Sequence, residues 1–159
     1  MIDKDNEQRL KDIIDVRDGT HDSPKYVNEG YPLITSKNIV NGKIDFTNVN
    51  LISQEDYEKI NKRSEVKKGD IIMPMIGTIG NPVIVDTDKK FAIKNVALFK
   101  FDSGKDLINN YLFYYLKSDY FYKQIHLIKR GGTQSFISLS DIRNLKVPIF
   151  NINYQQKVV

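Results

Sequence analysis

The sequence predicts a single α+β (mixed α/β) domain, a twisted, mainly antiparallel sheet flanked by short helices. Three observations carry that prediction. Short apolar runs separated by turn residues recur over residues 31–101, with Asn41-Gly42 as a hairpin signal between two of them. Over residues 106–129 the apolar spacing changes to i, i+3, i+4. The 159 residues, 40% hydrophobic and 28% charged, suffice for one core and not for two comfortable ones.

Taken in order, RLKDIIDVRDG places Leu10, Ile13, Ile14 and Arg17 on one helical face and suits a short helix or a helix-to-strand transition. The polar stretch DGTHDSPKYVNEG follows, punctuated by Gly19, Pro24 and Gly30. YPLITSKNIVNGKIDF reads as two short strands. Ser53 and Asp56 form a variant capping box that opens a helix to about Arg63, with Tyr57 and Ile60 facing inward. VKKGDIIMPMIGTIGNPVIVD holds two apolar runs around the loop 77–81, and FAIKNVALFKF suits a strand or a strand pair. Two helices follow, the second capped by Ser118 or Asp119 and carrying Phe121, Tyr122, Ile125 and Ile128. Tyr120, Phe121 and Tyr122 sit at helical spacing, which favours core packing over base stacking. Ser138 or Ser140 caps one further turn, KVPIF makes a last strand, and NINYQQKVV opens a final helix that the chain cuts short.

Composition removes several function classes. With no cysteine, a disulfide framework, a thiolate zinc site and a cysteine nucleophile are all excluded. Two distant histidines, His21 and His126, do not make a His-rich metal centre. No apolar run is long enough for a membrane span and the N-terminus is polar, so a cytoplasmic protein is expected. There is no GxxxxGKS/T phosphate loop and no GxSxG elbow. The net charge of +4 conceals a gradient: residues 1–60 carry 8 Lys/Arg against 12 Asp/Glu, and residues 61–159 carry 16 against 8. A basic half suits a polyanion such as nucleic acid.

The strongest constellation is YFYKQIHLIKRGGTQSFISLS, residues 120–140, which contains no acid. Lys129 and Arg130 precede Gly131 and Gly132, then Thr133, Gln134 and Ser135. Cations and close-approaching backbone N–H groups suit phosphate, while a glutamine amide suits an adenine edge. A helix C-cap explains the same basic pair and glycine without any ligand. Two other polar loops share this chemistry, Thr35-Ser36-Lys37-Asn38 and Gly19-Thr20-His21-Asp22-Ser23, and each also reads as an ordinary solvated turn. A catalytic alternative uses Asp45, Glu65 and Lys67, whose residue types match a metal-dependent nuclease, although Glu65-Val66-Lys67 equally reads as a charged helix-to-strand connection. Asp86 and Asp88 read as a turn.

These segments, in this order, resemble a known family. LKDIIDVRDGTHDSPKY, YPLITSKNIVNGKID, VKKGDIIMPMIGTIGNPVIV, FAIKNVALFK and GGTQSFISLSDIRNLKVPIFNINYQQKVV together resemble one target recognition domain of a type I restriction-modification DNA specificity subunit. The resemblance runs from about Arg9 to Val159. Its most specific parts are KKGDI with MIGTIGN, and GGTQSFISLSDIRNLKVPI. It implies a recognition domain over residues 1–150 and, over 151–159, the start of a spacer and dimerisation helix. It implies a non-catalytic subunit with no cofactor, bound to double-stranded DNA. The implied partners are an N6-adenine methyltransferase subunit, an ATP-driven restriction/translocase subunit, and a second recognition domain or a homodimer partner. A regulatory protein-interaction module of a restriction complex is a third reading. Departures are the single recognition domain, Phe150-Asn-Ile-Asn153 where a proline pair is frequent, and the absence of tryptophan.

Family position and donor chemistry together name the expected contacts. Lys129, Arg130, Lys37 and Lys94 would hold phosphates. Thr20, His21, Ser36, Asn38, Thr133, Gln134 and Ser135 would meet base edges. Gly77, Thr78 and Asn81, with Gly131 and Gly132, would shape the supporting loops.

Overall fold

The structure is a computed structural model that describes residues 4–101, 107–128 and 136–159. Its centre is a four-stranded antiparallel sheet in the order β2 (Asp15–Asp18), β11 (Val96–Lys100), β8 (Ile71–Pro74), β9 (Val83–Ile84). The apolar runs of β8 and β11 are continuous because both faces of the sheet are covered. Successive side chains point to opposite faces. Ile71, Met73, Ala97 and Phe99 join one buried cluster, and Ile72, Val96 and Leu98 join another.

The first cluster is closed by helices. Leu10 of α1 (Leu10–Ile13), Leu112 and Tyr115 of α3 (Asn109–Tyr115), Phe121 and Ile125 of α4 (Asp119–Ile128) and Ile142 of α5 (Leu139–Arg143) all pack there. The expected caps are present. Ser118 Oγ accepts from Phe121 N, and Ser138 and Asp141 form a reciprocal capping box. Of the three aromatics assigned to core packing, Phe121 is fully buried and Tyr120 half-buried, but Tyr122 is 42% exposed. Its ring lies over Gly80, where an added Cβ would meet the tyrosine hydroxyl at 2.5 Å.

The opposite side holds a second sheet in the order β10 (Ala92–Ile93), β4 (Tyr31–Ile34), β7 (Asn50–Ile52), β3 (Tyr26–Val27). Only β10–β4 is parallel among the named strand pairs. Helix α2 (Gln54–Ser64), capped by Ser53 as expected, lays Tyr57 and Ile60 on Leu33, Ile52 and Ala92. Tyr57 stacks on Tyr31 with centroids 4.0 Å apart. The Asn41-Gly42 hairpin joins β5 (Ile39–Val40) to β6 (Lys43–Ile44), with both turn residues at positive φ. The α+β class, antiparallel pairing and short flanking helices therefore hold, with the strands shared between two larger sheets and two ribbons.

Polar side chains inside the fold act as rivets. Asp70 of KKGDI is 2% exposed. It accepts from Lys67 N, Phe101 N and the Lys100 ammonium, which also donates to Glu65 O. Ribbon β1 (Glu7–Arg9) pairs with β12 (Lys146–Pro148). Helix α6 (Ile152–Val158) begins at the Asn151 cap and is tied down by buried Gln155, which accepts from Ile108 N and donates to Phe150 O.

Candidate nucleic-acid interface

Three polar segments meet where the two sheets join. Strand β10 belongs to one sheet and β11 to the other, so Lys94 and Asn95 between them form the hinge of the sandwich. Asn95 makes the turn with φ of 53°, a left-handed conformation that asparagine tolerates better than most residues. Thr20 lies beside this turn: Thr20 N donates to Ile93 O at 3.0 Å, and Asn95 N donates to Thr20 O at 3.1 Å. Gly19 makes that approach feasible, since a Cβ there would sit 2.0 Å from Ile93 O. Lys94 N donates to Ile34 O, which brings the start of Thr35-Ser36-Lys37 to the same edge. On the other side Met75 N donates to Asn95 O, and Ile137 N donates to Met75 O. Backbone hydrogen bonds thus connect Thr20, Lys94, Asn95, the loop after Met75 and the residues after Ser135.

The electrostatics of this edge centre on Asp18, which is 6% exposed. Its carboxylate meets His21 Nε2 at 2.7 Å and Arg63 at 3.2 Å. His21 Nδ1 lies 2.7 Å from Asn95 Oδ1, so both ring nitrogens face oxygen acceptors. Only the doubly protonated imidazolium can donate to both. The hydrogen bond that His21 donates to Asp18 chiefly, opposed by partial burial and aided by the bond to Asn95, raises the His21 pKa above its ordinary value. Arg63 also donates to Gly19 O at 2.8 Å, and Lys94 Nζ donates to Ser23 Oγ at 2.9 Å. Between this segment and α2 lies an open cleft of about 560 Å³, edged by Thr20, His21, Ser23, Lys59 and Arg63.

The expected contact residues fare differently. Thr20, His21 and Lys94 come together at this edge. Lys37 is exposed and Ser36 half-buried. Asn38, expected at a base edge, is instead 6% exposed and bonded inside the fold. Its Oδ1 accepts from Thr35 N and Thr35 Oγ1, and its Nδ2 donates to Asn48 O, so the amide is turned into the fold and not toward a base edge. Gly77 and Asn81 bend the 77–81 loop at positive φ, and Thr78 on it is exposed. Lys129, Arg130, Gly131, Gly132, Thr133, Gln134 and Ser135 lie outside the described residues. Sequence reasoning missed Asn95, Lys59 and Arg63. An asparagine interrupting the apolar FAIKNVALFK run was the one available signal for a turn.

The nuclease arrangement gains no support from the geometry. Asp45 Oδ1 accepts from the Thr47 N–H and hydroxyl, and the hydroxyl bond chiefly lowers the Asp45 pKa. Lys67 and Glu65 engage Asp70 and Lys100 through their backbones. Among the described residues, no group of three His, Asp or Glu could hold a metal ion. No described helix is long and apolar enough to cross a membrane.

The profile of the type I restriction modification DNA specificity domain matches residues 3–159, and the chain belongs to that family. It is 28% identical over 155 residues to the type I restriction enzyme MjaVIII specificity subunit of Methanocaldococcus jannaschii, covering 93% of this chain and 36% of that protein. It is 26% identical over 133 residues to the EcoBI specificity subunit of Escherichia coli, covering 84% and 28%. The fold matches the HsdS subunit of Thermoanaerobacter tengcongensis with a TM-score of 0.66 at 17% identity, over 96% of this chain and 34% of that one. The chain thus spans about a third of the length of these relatives.

Proposed function

We propose that this chain is a sequence-specific, double-stranded DNA reader. It would serve as the specificity subunit, or one half of it, of a type I restriction-modification system. It would direct an N6-adenine methyltransferase and a restriction/translocase subunit to one half of a bipartite target in the cytoplasm, without catalysis of its own. The observation that carries this reading is the Lys94-Asn95 hinge, which joins Thr20, the start of the turn after Ile34 and the bridge between Ile76 and Phe136 along one edge. Reading a groove needs several short directional groups in register, with cations to hold the phosphates.

In this role Lys37, Lys94, Lys129 and Arg130 contact phosphates. Thr20, Ser36, Thr133, Gln134 and Ser135 face base edges. His21, its ring nitrogens held by Asp18 and Asn95, contributes charge rather than base discrimination. Arg63 and Asn95 position it. Residues 1–150 act as the recognition domain and 151–159 begin the spacer helix, through which a second recognition domain or a copy of this chain pairs. A single half-site binds weakly, and two linked domains raise the affinity.

The test is selection of duplexes from a random pool by the chain, followed by binding of single-residue variants. Gln134→Ala is expected to cost about 1–3 kcal/mol on the selected site and to relax one position of it. A chain that selects no sequence at low salt, alone or joined to its helix and partner domain, contradicts the proposal.

A further inference from the structure

Two large apolar side chains stand exposed next to the polar edge. Ile76 is 39% exposed and Phe136 is 45% exposed, and they oppose each other across an isolated antiparallel bridge. Their neighbours Met75 and Ile137 are each 1% exposed and joined by the Ile137 N to Met75 O bond. Chain alternation therefore anchors one residue of each pair in the core and presents the other outward. Side chains opposed in this way lie about 5 Å apart at Cβ and make one patch instead of two isolated points. The patch continues directly into the polar edge, because Met75 N is bonded to Asn95 O and Asn95 N to Thr20 O. In sequence, Gly77-Thr78 follows Ile76 and GGTQS precedes Phe136. Phe136 lies in the acid-free stretch 120–140, a setting complementary to a polyanion.

Resting on the DNA-recognition reading above, we propose that Ile76 and Phe136 form an apolar base-reading patch that packs against thymine C5-methyl groups in the major groove. A thymine methyl is the apolar feature that a base pair offers in that groove, and contact with it needs no hydrogen-bonding group. The patch thereby reads positions that the hydroxyls and amides beside it do not. Two opposed side chains, each anchored by a buried neighbour, suit contact with a methyl better than insertion between base pairs, for which a single protruding wedge is used.

The experiment uses the unaltered chain and the duplex it selects from a random pool. Each thymine is replaced in turn by deoxyuridine, which removes only the methyl. At one or two positions the substitution is expected to weaken binding roughly four-fold, the worth of one buried methyl. The same substitution should have no effect on Ile76→Ser and Phe136→Ser variants, whose thermal unfolding should match that of the unaltered chain. If no thymine in the selected site is sensitive, or if sensitivity persists in both variants, the proposal is overturned. It is also overturned if the variants keep full DNA affinity but lose capture of a methyltransferase subunit, which would make the patch a protein-docking surface. Failure to select any duplex removes DNA recognition itself, a result distinct from the other outcomes.

Discussion

The turns Thr35–Asn38 and Thr20–Ser23 look alike in sequence, short polar stretches beside apolar strands, yet the fold uses them in opposite ways. In the first, Asn38 turns inward, caps its own turn and ties it to Asn48, leaving Lys37 as the exposed member. In the second, Thr20 spends its backbone on the Lys94-Asn95 hinge, while the His21 side chain remains about half exposed at an open cleft. Polar chemistry in a loop therefore does not identify a contact residue. What separates the two is orientation: Asn38 is buried with its amide bonded inside the fold, whereas the His21 ring stays about half exposed although both its nitrogens are engaged.

Substitutions can break or sharpen this contrast. The largest effect is expected at the most deeply employed polar group. Asp70→Ala strands the buried Lys100 ammonium and two backbone N–H groups. A loss of about 3–5 kcal/mol is expected in urea unfolding. Asn38→Ala should follow, costing about 1–3 kcal/mol of stability. It should leave the base preference of bound DNA unchanged, whereas altered preference at normal stability would restore Asn38 to the contact set.

The contrast also shows what could be read in advance. Helix starts were legible because Ser53, Ser118 and Ser138 cap locally, within three residues. The Asn41-Gly42 hairpin was legible for the same reason. Strands β1 and β7 were not, since EQR and NLI are three residues long and owe their form to distant partners. The edge was legible only in part. Thr20, His21 and Lys94 were named from their chemistry. Arg63 belongs there because a helix C-terminus 44 residues away from Gly19 folds back onto it, which no local pattern encodes. Asn38 was misassigned because side-chain identity does not reveal inward or outward orientation in a short turn.

A smaller effect concerns His21. Its pKa is raised above 6.5, principally by the hydrogen bond to Asp18. The stabilisation it contributes is therefore complete below pH 6.5 and is lost as pH rises through the higher folded-state value. The ring is partly exposed, so the effect should stay within about 1 kcal/mol, as for other exposed pairs. An NMR titration should show His21 titrating above its ordinary value in the native chain and lower in Asp18→Asn. A His21 that titrates at or below the ordinary value would dissolve the clasp between Asp18 and Asn95.

The most direct test of the central claim is the salt dependence of duplex binding for the unaltered chain, Lys94→Ala and Lys37→Ala. Each lysine that neutralises one phosphate should lower the slope of log K against log salt by about 0.9, with sequence preference retained. Slopes that do not change in either variant would show that DNA does not lie along this edge.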